Sequence, residues 1–339
     1  MTKRKYNYLD LDNDNYECGY CGKEYTSTSG VRGHIKREHL SIGDKNKKTK
    51  PEIKIERIEK KEIPKEDKLD EMYDAVKEFN KSLQKLDESN RNISFNIEGD
   101  FIAVLVISDL HYGNENVEME YVERLINFVK KYPRAYCILN GDIIDNWVKL
   151  APNGGIYEQT IKPEYQTEIM VHKLEPIKDK ILGIVMGNHE GRSQKQGEKN
   201  PTKTMAQKFN VPYLGPGGRI NLTINGIEYR LHIRHRFRYE SSFNPCHSCG
   251  RLIEQLDSEA DIVGIGHKHD PAVEVRYKAG KQRSFMRFGS AMPSTKYSDY
   301  LGYGKTPLVA PTVLLSGDKK MHHPFIDLDI VKIYIRKEG

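Results

Sequence analysis

The chain has 339 residues, of which 30% are charged, and its formal net charge is +6. This length has room for one α/β domain of ordinary size with smaller appendages. No apolar run approaches the roughly eighteen residues of a membrane span, and the first residues lack a secretory apolar core. We therefore expect a soluble, cytoplasmic protein with no membrane contact. Its five cysteines fit a reducing compartment.

Residues 1–40 contain a metal-binding pattern. Cys18 and Cys21 are followed by His34 and His39, with the spacing Cys-x2-Cys-x12-His-x4-His. The segment resembles a Cys-Cys-His-His zinc finger of ββα architecture, which would hold one structural Zn²⁺. Apolar residues stand where such a finger packs its small core, at Tyr16, Tyr25 and Val31.

The finger is not expected to read a base sequence. When it is aligned on a ββα finger, the base-contacting positions are Ser27, Gly30 and Gly33. Glycine cannot make the bidentate contacts that specify a base, and one finger buries little surface. We interpret the finger as a docking module for a nucleic-acid backbone or for a protein partner.

Two further segments follow the finger. Residues 41–65 are rich in Lys and Glu and contain two prolines, as is typical of a charged, flexible linker. Residues 66–90 repeat apolar side chains at three- and four-residue steps, which predicts an amphipathic helix. Its narrow apolar seam consists of Leu69, Met72, Val76, Phe79, Leu83 and Leu86. So short a seam favours packing against the rest of the chain over dimerisation, and the oligomeric state stays open.

Residues 99–335 contain four apolar runs, each followed by polar residues. The runs predict buried strands over 101–107, 135–140, 181–186 and 261–265. The polar residues that follow them are Asp109 and His111, Asp142 and Asp145, Asn188 and His189, and His267 and His269. In an open α/β sheet, ligands bind beyond the carboxyl ends of the strands. We therefore expect these side chains to meet in one cleft.

A further candidate histidine lies in the predicted strand 227–237, where both His232 and His235 are available. Side chains alternate between the two faces of a strand. His235 continues the row of apolar residues, whereas His232 lies in a row of arginines. We therefore favour His235 as the candidate ligand.

These residue types suit a centre that binds two divalent ions. Imidazole, carboxylate and amide ligands fit such ions, whereas Cys ligands would favour a closed structural zinc site. In this order the clusters resemble the signature of the calcineurin-like metallophosphoesterases over residues 99–335. The resemblance implies an α/β fold, a four-layer αββα sandwich. It also implies two metal ions in the cleft; we expect Mn²⁺, with Fe²⁺, Zn²⁺ and Mg²⁺ as alternatives.

The resemblance implies a role for each motif residue. One metal would be held by Asp109, His111 and His269, the other by Asn188, His235 and His267, and Asp142 would bridge them. His189 would protonate the leaving oxygen or stabilise the phosphoryl charge. Asp145 would hydrogen-bond the other nitrogen of His189, although it could also cap a helix.

Two arginines are candidate substrate-binding residues. Arg192 follows the Asn188-His189 pair and could contact a substrate phosphate, or it could simply be solvated. Arg236 belongs to a series of arginines on the strand that carries His235, which could instead protect a sheet edge. Cys246 and Cys249 follow this strand and are expected to be free thiols on a loop.

The predicted function is hydrolysis of phosphodiester bonds in DNA or RNA. In the Ser/Thr protein phosphatase branch an Arg follows the second Asp of the motif, whereas here Asn146 stands there. The remainder resembles phosphodiesterase and nuclease members, including those of phage and viral genomes. The alternatives are a phosphatase or phosphodiesterase that acts on small nucleotides or phosphoproteins, and a zinc-finger scaffold with an inactive centre. The complete ligand set favours an active enzyme.

Overall fold

A computed structural model of the protein describes residues 8–11, 15–39, 66–148, 158–294, 300, 302 and 304–336. The chain divides into two compact units, residues 1–69 and residues 70–339. The predicted linker 41–65 lies outside the described residues. Across the described ranges, no helix combines the length and the apolar character that crossing a membrane requires.

The N-terminal unit is a small finger. Its elements are β1 (Tyr8–Leu11), β2 (Asn15–Cys18), β3 (Glu24–Tyr25), α1 (Thr28–His34) and a π-helical turn at Ile35–His39. The strands pair antiparallel in the order β1-β2-β3, so β1 adds a strand to the predicted ββα pattern. The predicted core is confirmed and gains one residue: Val31 and Ile35 are fully buried, with Tyr16 and Tyr25 packed against them.

The larger unit is a mixture of strands and helices. The strands are β4 (Asn92–Ile97), β5 (Phe101–Ile107), β6 (Ala135–Asn140), β7 (Ile181–Val185), β8 (Gly217–Ile224), β9 (Ile227–Arg234), β10 (Ile262–Ile265), β11 (Ala272–Lys278), β12 (Lys281–Arg287), β13 (Thr312–Ser316) and β14 (His322–Phe325). The helices are α2 (Glu66–Asn90), α3 (Met119–Lys131), α4 (Pro163–Leu174), α5 (Glu190–Lys195), α6 (Pro201–Phe209), α7 (His247–Gln255) and α8 (Leu328–Ile335), with a 3-10 turn at Glu175–Lys180.

Among the described residues, these strands form two sheets. One has the order β11-β12-β10-β9-β8-β4 and the other the order β14-β13-β5-β6-β7. Strand β5 shows how they are stacked. Ile102, Val104 and Val106 face a core shared with the other sheet, whereas Leu105 and Ile107 face helices. A strand that is buried on both faces must be apolar throughout, which explains its continuous apolar run.

Helices cover the outer face of each sheet. Residues of α3, α4, α6 and α8 pack on the five-stranded sheet, and α7 packs on β10 and β12 of the six-stranded sheet. The four-layer αββα sandwich is therefore confirmed. Cys246 directly precedes α7 and Cys249 lies within it; both are buried, so the expected loop is instead the start of a helix.

Two expectations need correction. Residues before the predicted boundary at 99 belong to the sandwich, because β4 pairs parallel with β8 and packs Ile93 and Phe95 against the inter-sheet core. The predicted helix is α2, but its apolar seam does not pack on the body: the seam side chains are 47–63% exposed. Only Leu83 and Leu86, near its C-terminal end, border α6 and the loop after it.

Candidate metal centre and active site

The candidate ligands converge at one edge of the two sheets. Asp109 and His111 follow β5, Asp142 follows β6, Asn188 follows β7, His235 follows β9, and His267 and His269 follow β10. Asp109, Asp142 and His235 are each at most 2% exposed. The structure thus brings all seven predicted ligands into one site.

Asp109, His111 and His269 form one group. Nε2 of His269 lies 3.2 Å from Oδ1 of Asp109 and 3.1 Å from Nε2 of His111. Donor atoms of all three lie within 4.8 Å of one another, so they could hold one metal ion.

Asp142, His235 and His267 form a second group with the same spread of donor atoms. Nε2 of His235 lies 3.2 Å from Oδ2 of Asp142 and 2.9 Å from Oδ1 of Asn188. The same Oδ2 atom is 3.9 Å from Nε2 of His111, in the first group. The Asp142 carboxylate therefore lies between the two groups, where a bridging ligand would stand.

The contacts of His235 suit a metal ligand. Its Nδ1 lies 2.8 Å from the carbonyl oxygen of Asn140 and donates there, so Nε2 is the ring nitrogen that would bind a metal ion. His232, the rejected candidate, faces away from the site and contacts Oδ2 of Asp257 through Nδ1 at 2.8 Å. The structure thus places His235, and not His232, among the other candidates.

Five candidate ligands have a left-handed backbone, which non-glycine residues rarely adopt. Their φ angles lie between 48° and 74°, at Asp109, His111, Asp142, His267 and His269. The loops hold one another in this state. The backbone N–H of His111 donates to the carbonyl of Asp142 at 2.8 Å, and that of His267 donates to the Asp109 carboxylate at 3.1 Å.

Glu190 is a site residue to which sequence reasoning gave no role. Its fully buried carboxylate accepts hydrogen bonds from the backbone N–H groups of Asp142, Ile143, Ile144 and Gly187. It thereby fixes the loop that carries Asp142 beside the one that carries Asn188. The signal available in the sequence was its position directly after His189. Gly187 is required there, since a Cβ atom would lie 2.1 Å from the Asp142 nitrogen.

His189 lies beside the candidate ligands, and the backbone of Asp145 is nearer to it than the predicted carboxylate. Its Nδ1 is 2.6 Å from the backbone carbonyl oxygen of Asp145, whereas the Asp145 carboxylate is 3.5 Å away. That carboxylate lies at a similar 3.6 Å from Nδ1 of His111 and accepts a hydrogen bond from Asn114 at 3.1 Å. Asp145 therefore stands between two histidines. It does not cap a helix, because residues 146–148, which directly follow it, are not helical.

Asn146, the departure from the protein phosphatase pattern, is fully buried. Its Nδ2 donates to the carbonyl oxygen of His189 at 2.6 Å and contacts the Ser193 hydroxyl at 3.0 Å. Its amide is thus occupied in holding the His189 loop and does not face the cleft.

The two predicted substrate-binding arginines differ in placement. The guanidinium of Arg192 stacks on Trp147 at 4.0 Å, and its nitrogens lie 2.9 and 3.0 Å from the ring nitrogens of His189. Arg236 is exposed on the loop that follows His235. It directly follows His235 in the chain, which places it near the second group.

The electrostatics of the centre suit cations. Burial raises the pKa of Asp109, but the opposing effect of His235 and His269 is larger, and the resulting pKa is about 2. Burial lowers the pKa of His235, yet Asp142 and Asp109 raise it to about 10. Burial and the His235 charge lower the pKa of His267 to about 4. Two buried carboxylates thus require positive charge beside them, and two divalent cations held by oxygen and imidazole donors would supply it.

The finger has its own candidate site. Donor atoms of Cys18, Cys21, His34 and His39 lie within 4.8 Å of one another. Nε2 of His34 is 3.2 Å from Nε2 of His39 and 3.2 Å from Sγ of Cys21. The π-helical turn at 35–39 explains this, because its i to i+5 repeat aligns two histidines five residues apart. These thiolate and imidazole donors fit one Zn²⁺.

Sequence comparisons identify both units. Residues 102–285 match the calcineurin-like phosphoesterase family, and residues 5–40 match the BED zinc finger. No curated protein matches the chain.

Similar solved structures include a predicted phosphoesterase from Streptococcus pneumoniae, 14% identical, covering 66% of this chain and 97% of that one with a TM-score of 0.32. A putative 5'-nucleotidase from Staphylococcus aureus is 14% identical, covers 70% of this chain and 58% of that one, and has a TM-score of 0.39. A calcineurin-like phosphoesterase from Bacillus subtilis is 12% identical, covers 70% and 96%, and has a TM-score of 0.32. Since the family match spans more than half of the chain, the protein belongs to the calcineurin-like phosphoesterases and is a hydrolase of phosphoester bonds.

Proposed function

We propose that the protein is a nuclease that hydrolyses phosphodiester bonds in DNA or RNA, with Mn²⁺ in the cleft and Zn²⁺ in the finger. The observation that carries this proposal is the BED zinc finger in the same chain as a phosphoesterase, because such a finger suggests nucleic-acid binding. The finger docks the substrate without reading its sequence. Gly30 and Gly33 have no side chains for base contacts, and the Ser27 hydroxyl accepts the hydrogen bond that caps α1.

The cleft residues divide into two metal-binding sets joined by Asp142. Asp109, His111 and His269 would hold one ion, and Asn188, His235 and His267 the other. When bound, the ions would neutralise phosphoryl charge and make a water molecule a better nucleophile.

His189 is the proton donor to the leaving oxygen. Nδ1 contacts the Asp145 carbonyl, so Nε2, which lies 2.9 Å from Arg192 and 3.9 Å from the Asp142 carboxylate, is the nitrogen that faces the centre. Burial lowers the pKa of His189, but the Asp142 and Asp145 carboxylates outweigh it and raise the pKa above its ordinary value. A raised pKa favours the protonated ring, which is the form that a proton donor needs.

Arg192 and Arg236 bind phosphate. Arg192 is held against Trp147 beside His189, where its guanidinium can face a phosphoryl oxygen. Arg236 is exposed directly after His235, where it can bind a phosphate of the nucleic acid that neighbours the one being cleaved. Asn146 is buried and its amide donates to the carbonyl oxygen of His189, so it cannot bind phosphate as the Arg of a protein phosphatase does. This supports a phosphodiesterase over a protein phosphatase.

The test is a substrate panel with the purified full-length protein and Mn²⁺. It compares single-stranded DNA, duplex DNA, RNA, bis(p-nitrophenyl) phosphate and p-nitrophenyl phosphate. We expect cleavage of nucleic acid and of the phosphodiester ester. Brisk hydrolysis of the phosphomonoester with neither binding nor cleavage of any nucleic acid would instead identify a phosphatase.

A further inference from the structure

The loop that leaves the centre at His235 alternates arginine with aromatic residues. Its sequence from residue 236 to residue 243 is Arg-Phe-Arg-Tyr-Glu-Ser-Ser-Phe. Residues 236–240 line a pocket on the surface. The loop begins directly after His235, a candidate metal ligand, so a polymer bound along the loop would lead into the cleft.

Two of the three rings on this loop, Phe237 and Tyr239, are paired with guanidinium groups. Arg238 and Arg251 each lie 5.0 Å from the Tyr239 ring, and Arg234 lies 5.9 Å from the Phe237 ring. The Tyr239 hydroxyl accepts a hydrogen bond from Gln255 at 3.0 Å. Tyr239 has φ 68°, a conformation that a bulky residue adopts only when its surroundings hold it.

Two of the three aromatic rings remain accessible, whereas Phe237 packs against the core beneath α7. Tyr239 is 39% exposed and Phe243 is 98% exposed. The acidic side chains nearby are paired, since Glu240 lies 3.2 Å from Lys268 and Glu254 lies 2.6 Å from Arg251. The surface therefore offers aromatic faces and positive charge together, without an exposed unpaired carboxylate on the loop.

Aromatic faces flanked by cations are the features that bind a single strand, because unpaired bases stack on the rings while phosphates meet the cations. A duplex already stacks its bases on one another, and an acidic protein would use the cations but not the rings. We propose that loop 236–243 is a binding surface for single-stranded nucleic acid that delivers the strand to the metal centre. This inference rests on the proposed nuclease function and names its substrate class.

The experiment uses the full-length protein loaded with Mn²⁺ and a short oligonucleotide that contains 5-iodouracil and nuclease-resistant phosphorothioate linkages, so that the strand is bound but not cut. Irradiation and peptide mapping should place crosslinks within residues 236–243. Phe243→Ala should lower crosslinking there and weaken binding of single-stranded DNA about tenfold, as expected for a lost base stack. The matched control is Tyr277→Ala, which removes a ring that is 76% exposed on the β11–β12 hairpin and should bind as the wild type does.

Two comparison strands test stacking against charge. An abasic strand of equal length and a duplex should both bind at least tenfold more weakly than the single strand, since neither presents free bases. The proposal would be overturned if the abasic strand bound as tightly as the intact strand, or if polyglutamate displaced the intact strand as readily as unlabelled single strand does. Crosslinks confined to the finger would also overturn it. Hydrolysis of bis(p-nitrophenyl) phosphate, measured in parallel, reports on the proposed function alone. If this ester is not hydrolysed, the proposed function fails, while the binding and crosslinking results still test whether the loop binds a single strand.

Discussion

The backbone carbonyl oxygen of Asp145 lies 2.6 Å from Nδ1 of His189, closer than the carboxylate of the same residue at 3.5 Å. A main-chain acceptor survives any side-chain substitution. The orientation of His189 therefore does not depend on the Asp145 carboxylate alone, and the two residues should respond differently to mutation.

His189→Ala should retain both cleft metals and lose on the order of 10²–10⁴ in kcat, as for a lost general acid. Asp145→Asn should be milder, because the carbonyl contact remains while the charge between His189 and His111 is removed. Steady-state kinetics on the phosphodiester ester, with metal content from mass spectrometry, checks both. A His189→Ala protein that has lost a metal would show that this residue is a ligand.

Asp142→Asn should abolish turnover and lower the metal content while the fold is retained. The carboxylate stands between the two ligand groups, and an amide has one oxygen and no charge to share. Elemental analysis and circular dichroism are the measurements. Near-normal activity with two cleft metals per chain would contradict the bridging role.

His235 and His232 form a matched pair on one strand. His235→Ala should lose cleft metal and activity. His232→Ala should keep both and only lower the free energy of unfolding by about 1–3 kcal/mol, since it leaves the buried Asp257 carboxylate with one fewer donor. Metal titration and denaturant unfolding of the two variants separate these outcomes. Loss of metal in His232→Ala alone would reverse the choice.

Glu190→Gln should lower metal affinity and cost about 1–3 kcal/mol of stability, because an amide cannot accept all the backbone N–H groups that the carboxylate accepts. Glu198→Gln, an exposed position after the same helix, is the control and should change neither. Unfolding measured with and without Mn²⁺ tests this. A stable variant with normal affinity would mean that the Asp142 loop holds its shape by other contacts.

Removal of residues 1–65 should leave hydrolysis of the small phosphodiester ester nearly unchanged, since every candidate cleft ligand lies after residue 100. Cleavage of long nucleic acid should fall through weaker binding. Binding by the intact chain should depend steeply on salt and little on sequence, as phosphate contacts do. Preference for one short DNA sequence that disappears with the finger would overturn the non-reading role.

The limits of sequence reasoning are clear at particular residues. The apolar run of β5 was readable because both of its faces are buried, and strand alternation separated His235 from His232. Strand β4 was missed because only one face packs and its polar residues resemble a linker. The contacts of Glu190 and the Asp145 carbonyl arise where loops distant in sequence meet, which no local pattern records.

The left-handed backbones of the cleft have a consequence for how ions enter and leave. The ligand loops are fastened to one another by hydrogen bonds, from His111 to Asp142 and from His267 to Asp109. Because these hydrogen bonds hold the ligand loops in place, the cleft should exchange one divalent ion for another without refolding. The core of the finger is only Tyr16, Tyr25, Val31 and Ile35 beside Cys18, so the finger should unfold when chelators remove a bound Zn²⁺. The two ions of the cleft would thus be exchangeable, whereas the ion of the finger would be needed for folding.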